Sequence, residues 1–188
     1  MGRATSLIGA IVALSLLAPT CFAQSHSPYA GFESRPIKAL SNQQISELRS
    51  GLGMSLALAA ELNGYPGPRH TIELAKDLEL SAEQRNRVEA LFAAMTTESV
   101  AIGERLIAQE AELDRQFADK TISPTALTSL VEAIGSTQSA LRATHLKYHL
   151  LTLEILTPAQ VRRYAELRGY AKPSVHDPAR HQTQPETK

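Results

Sequence analysis

The chain has 188 residues, enough for one domain with short tails. Hydrophobic residues make up 43% of it and aromatic residues only 5%, and Ala, Leu, Glu, Gln and Arg are abundant, a composition that favours helices over sheets. The 19 basic and 19 acidic residues balance, so the chain has no surplus of positive charge to neutralise phosphates. Nucleic acid is therefore not expected as a partner.

Residues 1–23 have the pattern of a secretory signal peptide. Arg3 precedes an apolar run from Leu7 to Leu17, which is too short to span a bilayer comfortably. Cleavage after Ala23 would remove the only cysteine, Cys21, and leave no thiol for a disulfide. A lipid anchor on that cysteine and an uncleaved leader are the alternatives. We expect export to the periplasm and no stable membrane insertion of the mature chain.

The remaining chain divides by composition into three parts. Residues 24–39 are rich in Ser, Pro and Gly, which predicts an extended segment before the domain, called the lead-in below. Residues 171–188 are polar and hold three prolines, which is typical of a disordered tail. We expect the folded domain to cover residues 40–170.

One pentapeptide pattern, Leu-[Ser/Thr]-x-x-Gln, recurs three times. Its members are Leu40-Ser41-Asn42-Gln43-Gln44, Leu80-Ser81-Ala82-Glu83-Gln84 and Leu156-Thr157-Pro158-Ala159-Gln160. In a capping box the hydroxyl accepts a hydrogen bond from the backbone N–H three residues later, and the Gln side chain reaches back to the N–H of the cap. Each pentapeptide therefore predicts the start of a helix.

Hydrophobic periodicity and these caps together predict an all-α fold with four to five helices. The expected helices cover residues 41–62, 70–77, 82–118, 124–154 and 158–169. The turn at 119–123 is short, so the two long helices should pack as an antiparallel, elongated hairpin. The scarcity of aromatic residues gives such a hairpin a thin core, and we expect a homodimer that buries more of it.

The segment Gly51–Leu62 is apolar on nearly all sides of a helix. Such a helix requires burial on two sides, and the second side is either ordinary core, a dimer interface or a surface for binding other polypeptides. The candidates for a binding or dimer surface are Met54, Leu58, Leu62 and Tyr65. Methionine suits an adaptable binding surface because its side chain is flexible.

The pentapeptides at Leu80–Gln84 and Leu156–Gln160, on either side of a long helical hairpin in an exported chain, resemble the LTxxQ-motif periplasmic family. This family includes the Spy/CpxP chaperones and the related ZraP/CnrX metal-responsive proteins. The resemblance covers residues 41–170 and implies a dimeric, cradle-shaped, four-helix protomer. It also implies an ATP-independent chaperone in the envelope stress response, which binds unfolded or misfolded envelope proteins. No nucleophile–base arrangement or phosphate-binding loop is evident in the sequence, and we expect no enzymatic activity.

His145 and His149 suggest a second hypothesis about function, because they lie four residues apart on a predicted helix. At this spacing both imidazoles point to one face and can share a divalent transition metal such as Zn, Ni, Co or Cu. The additional ligands would come from the N-terminal part, where the candidates are Met54, Glu61, His70 and Glu73. The alternative is purely structural, with His145 partly buried and His149 hydrogen-bonded near the end of the bundle. The chain also departs from the metal-responsive members, because its first helix has no histidine pair.

Overall fold

The computed structural model describes residues 28–171, and within them the fold is all-α, as the sequence predicts. The predicted leader and nearly all of the predicted tail lie outside these residues. The described part has one short 3-10 helix, Phe32–Ser34, and six α-helices. They are α1 (Asn42–Arg49), α2 (Leu58–Glu61), α3 (Pro68–Glu73), α4 (Ala82–Ala118), α5 (Pro124–Leu153) and α6 (Pro158–Leu167). None of the helices between residues 28 and 171 has the length and apolarity to span a membrane.

Side-chain caps begin four of these helices. A complete capping box precedes α1, α4 and α6, in which the Ser or Thr hydroxyl accepts from the third backbone N–H and the Gln oxygen accepts from the N–H of the cap. Helix α5 has the simpler start expected of Ser123 followed by Pro124, with the serine hydroxyl accepting from the Ala126 N–H. Each cap satisfies backbone donors that the first turn of a helix leaves unpaired.

The long helices α4 and α5 lie side by side as an antiparallel hairpin joined at residues 119–123. With 37 residues, α4 is about 55 Å long at 1.5 Å per residue. Many of the buried positions along the hairpin are small or polar, such as Ser99, Gly103, Thr144 and Thr152, which accounts for the thin core. The apolar residues of α4 are not all buried, since Phe117 near the turn is exposed.

The predicted helix over residues 41–62 is wrong. Helix α1 ends at Arg49, and the chain crosses a non-helical stretch before the single turn of α2. Three residues of this stretch have positive φ, at 65° for Gly51, 40° for Met54 and 66° for Ser55, values that an α-helix does not contain. The apolar residues of Gly51–Leu62 therefore do not lie on one continuous helix.

The break allows the N-terminal part to pack against α4. Gly51 lies so close to α4 that an added Cβ would be 3.1 Å from the carbonyl oxygen of Thr96. Farther along the hairpin, Leu48 joins a core cluster with residues of the lead-in, α4 and α5. The other members of this cluster are Ile37, Leu40, Leu106, Ile107, Ile134 and Leu141. The N-terminal part therefore forms a layer across the hairpin and leaves a cavity beneath residues 50–58.

Candidate functional site

A cavity of about 380 Å³ lies between the N-terminal layer, the hairpin and the end of α6. Its wall combines apolar side chains with several titratable ones. Among the lining residues are Leu52, Met54, Leu58, Glu61, His70, Phe92, Met95, His145, His149 and Arg168. A concave, largely apolar site with a few convergent polar groups is the usual form of a ligand-binding site.

The two histidines of α5 line this cavity and are both buried, with 3% of His145 and 8% of His149 exposed. The Nδ1 atom of His149 donates a hydrogen bond to the carbonyl oxygen of Tyr65 at 2.7 Å. Because a carbonyl oxygen can only accept, this bond places a proton on Nδ1.

His145 has a different environment from His149. Burial lowers the pKa of His145, and the neighbouring His149 lowers it further. Its Nε2 atom is buried and has no hydrogen-bond partner in the described part of the chain. His145 therefore presents a neutral imidazole at neutral pH with an unsatisfied ring nitrogen.

Glu61 supplies a buried carboxylate beside this pair. Its Oε1 atom accepts hydrogen bonds from the Tyr164 hydroxyl at 2.6 Å and from Arg168 Nε at 3.3 Å. Burial, followed by the hydrogen bond to Glu61, raises the pKa of Tyr164. The other oxygen, Oε2, lies 3.8 Å from His149 Nδ1 and has no hydrogen-bond partner among the described residues.

Gly67 allows the chain to pass close to the imidazole of His149. An added Cβ at this position would be 2.8 Å from Cε1 and 2.9 Å from Nε2 of His149, and 3.6 Å from Glu61 Oε2. Only glycine leaves room for the imidazole here, and the flanking Pro66 and Pro68 are both buried. Gly67 and Pro68 thus form part of the wall of the site.

Most of the residues proposed from the sequence as metal ligands line this one cavity. Met54, Glu61, His70, His145 and His149 are all part of its wall. Glu73 is not, because its carboxylate accepts hydrogen bonds on the surface from His70 Nδ1 at 2.8 Å and from Arg69 Nε at 3.0 Å. Within residues 28–171, however, no three or more His, Cys, Asp or Glu residues are arranged to hold a metal ion.

The residues proposed as a client or dimer surface are divided between the cavity and the outer surface. Leu58 is exposed and lines the mouth of the cavity, whereas Leu62 is exposed outside it. Met54 and Tyr65 are half-buried. Tyr164 and Arg168 were not predicted from the sequence. The available signal was their spacing of four residues, with Tyr164 in α6 and Arg168 directly after its last residue.

Comparisons with known proteins find no relative of this chain. It matches no family model, no curated protein and no solved structure. The resemblance to the LTxxQ-motif family accordingly depends on the pentapeptides and their placement around the hairpin, and family membership stays a prediction.

Proposed function

We propose that this protein is an ATP-independent chaperone of the Spy/CpxP type, exported to the periplasm, which holds unfolded or misfolded envelope proteins on an apolar surface and catalyses no reaction. The observation that carries the proposal is a pair of exposed leucines that line the cavity, with a third exposed leucine four residues farther along the chain. Leu52 is 37% exposed, Leu58 48% and the neighbouring Leu62 56%. Exposed apolar side chains grouped beside a concave site are typical of a surface that binds other polypeptides.

The wall behind these leucines supports the same proposal. Met54, Phe92 and Met95 line the cavity that Leu52 and Leu58 border. Methionine and leucine side chains adapt to apolar groups of different shape, as a chaperone with many clients requires. The surface lies on a segment with one short helix and three positive φ values, so few helical hydrogen bonds restrain it.

Suppression of aggregation tests the proposal. The purified mature chain should prevent aggregation of several unfolded model proteins at a nearly stoichiometric ratio without ATP. The triple variant Leu52→Gln/Leu58→Gln/Leu62→Gln should lose most of this activity. A matched control is Leu127→Gln/Val131→Gln, which changes residues that are 38% and 51% exposed on α5, and it should keep the activity. Failure of the wild type to protect any client would contradict the proposal.

Binding of a transition metal is a second candidate function, and the unsatisfied atoms of the cavity favour it. His145 Nε2 and Glu61 Oε2 are buried without hydrogen-bond partners, and both residues line the same cavity. Such atoms are rare because an unpaired buried polar group costs about 1–3 kcal/mol. A cation bound at either atom would satisfy it. On this hypothesis the protein is a sensor or scavenger of Zn, Ni, Co or Cu through His145 and His149.

Calorimetric titration with each of these divalent metals tests the second candidate. The wild type should bind, and the double variant His145→Ala/His149→Ala should not. Thr96→Val is the matched control, since Thr96 also lines the cavity and its hydroxyl donates to the carbonyl oxygen of Phe92. Equal, weak binding by the wild type and the double variant would exclude the site. Sedimentation of the same samples would test the expected homodimer.

A further inference from the structure

The methionines of the chain are concentrated at the cavity. The sequence has three methionines, and the two that follow Met1, Met54 and Met95, both line the cavity that contains the histidine pair. Met95 is 7% exposed and Met54 is half-buried. Both methionines thus line the cavity that His145 also lines, and the Nε2 atom of His145 is buried without a hydrogen-bond partner among the described residues.

The backbone at Met54 is unusual for a residue with a long side chain. Its φ of 40° lies in the left-handed region, which costs a residue with a Cβ about 1–2 kcal/mol. Backbone strain of this kind is concentrated at ligand-binding positions. Here it occurs at a residue that contributes to the cavity wall, next to Gly53, whose added Cβ would lie 3.6 Å from His145 Nδ1.

The donor types at the cavity suit one class of metal ion better than the others. Zinc, nickel and cobalt favour sets of three or more imidazole, thiolate or carboxylate ligands, and residues 28–171 hold no such set. Thioether sulfur is a soft ligand that selects Cu(I). We propose that the cavity binds a single Cu(I) ion through His145, Met54 and Met95. This inference rests on the metal-binding candidate above. It specifies Cu(I) as the ion, keeps His145 as a ligand and replaces His149 by the two methionines.

Competition with a chromophoric Cu(I) chelator under anaerobic conditions measures the affinity of the mature chain for Cu(I). The wild type should bind one Cu(I) per chain. The variants Met54→Leu, Met95→Leu and His145→Gln should each lower the affinity by at least about tenfold, the loss typical even of a residue that only supports a metal ligand. Thr96→Val, which changes a cavity-lining residue that is not a proposed ligand, should bind as the wild type does. X-ray absorption at the copper edge should show sulfur neighbours that disappear in the double methionine variant.

The methionine variants distinguish the loss of the Cu(I) site from a loss of folding and from a loss of metal binding in general. Replacing Met by Leu conserves volume and is expected to cost less than about 1.5 kcal/mol of stability, which circular dichroism and Tm check. Unchanged Cu(I) affinity in the methionine variants would overturn the inference, while divalent binding that requires His145 and His149 would leave the metal candidate intact. If the wild type binds neither Cu(I) nor a divalent metal, both are wrong.

Discussion

The side-chain amides of Gln84 and Gln160 form two reciprocal hydrogen bonds, with Nε2–Oε1 distances of 2.9 and 3.1 Å. Each amide also closes its own capping box and donates to the chain just before the other box. Gln84 donates to the Ile155 carbonyl at 2.9 Å, and Gln160 donates to the Leu78 carbonyl at 3.2 Å. The two pentapeptides that flank the hairpin are thus joined, and the starts of α4 and α6 are held together.

Replacement of Gln160 by Ala should therefore cost more than replacement of a Gln that serves only as a cap. Gln160→Ala removes a cap partner and the hydrogen bonds to Gln84 and Leu78, and we expect a loss of about 2 kcal/mol in the free energy of unfolding. Gln44→Ala, which affects the capping box of α1 alone, should cost about 0.5–1 kcal/mol. Urea denaturation measures both.

The pairing itself can be measured with a double-mutant cycle. Gln84→Ala/Gln160→Ala should be less destabilised than the sum of the single variants, with a coupling of about 0.5–3 kcal/mol. Additive losses, or equal losses for Gln160→Ala and Gln44→Ala, would contradict a link between the two boxes.

Replacing each of two glycines in the long helices by alanine should change the stability of the protein in opposite directions. A Cβ at Gly103 in α4 would be 2.6 Å from the carbonyl oxygen of Leu48, whereas a Cβ at Gly135 in α5 would meet nothing within 4 Å. Gly103→Ala should destabilise the protein by about 1–3 kcal/mol because α1 must move away. Gly135→Ala should stabilise it by up to about 1 kcal/mol through helix propensity. Thermal unfolding of both variants checks the prediction, and a shift of the same sign in both would refute the packing of α1 on α4.

The hydrogen bond between Tyr164 and Glu61 should stabilise the contact between α6 and α2. Tyr164→Phe removes a 2.6 Å bond to a buried carboxylate, and hydrogen bonds to charged groups contribute about 1.5–3 kcal/mol. Tyr170→Phe removes a hydroxyl that accepts from Arg168 on the surface, and its effect should be within about 0.5 kcal/mol. The free energies of unfolding from guanidinium titration should differ accordingly; similar values for the two variants would show that Glu61 is not held through Tyr164.

Glu110 should make the stability depend on pH. Glu110 is 9% exposed, and burial raises the pKa of its carboxyl group in the folded state. Below the unfolded pKa of about 4.3 the carboxyl group is protonated in both the folded and the unfolded state, so burying it costs no free energy of ionisation. As the pH rises through that value towards the raised folded pKa, the unfolded chain loses its proton first and stability falls.

Glu110→Gln should consequently raise Tm by about 2–4 °C at pH 7 and change it little at pH 4. Glu112→Gln provides a contrast of opposite sign, because the hydrogen bonds from Arg115 lower the pKa of Glu112 to about 2, and this substitution should lower Tm at pH 7. Calorimetric scans at both pH values test the pair. A decrease of Tm at pH 7 in Glu110→Gln would mean that the ionised carboxylate is stabilised in the fold.

The sequence alone was sufficient for the all-α fold class, the hairpin and the starts of its helices. Capping boxes and helical periodicity depend on residues three or four positions apart. In a capping box, the residues that make the pattern in the sequence are also the ones that form the hydrogen bonds. Ser81 and Gln84, for example, are three residues apart and make the same contacts wherever the rest of the chain lies.

The tertiary structure decided where the first predicted helix breaks and what surrounds the histidines. Gly51 lies within the first predicted helix, but its positive φ and its close approach to the Thr96 backbone depend on α4. Glu61 and Tyr164 are 103 residues apart in the chain. Which distant side chains meet depends on how the layers pack, and local spacing along the chain does not contain that information.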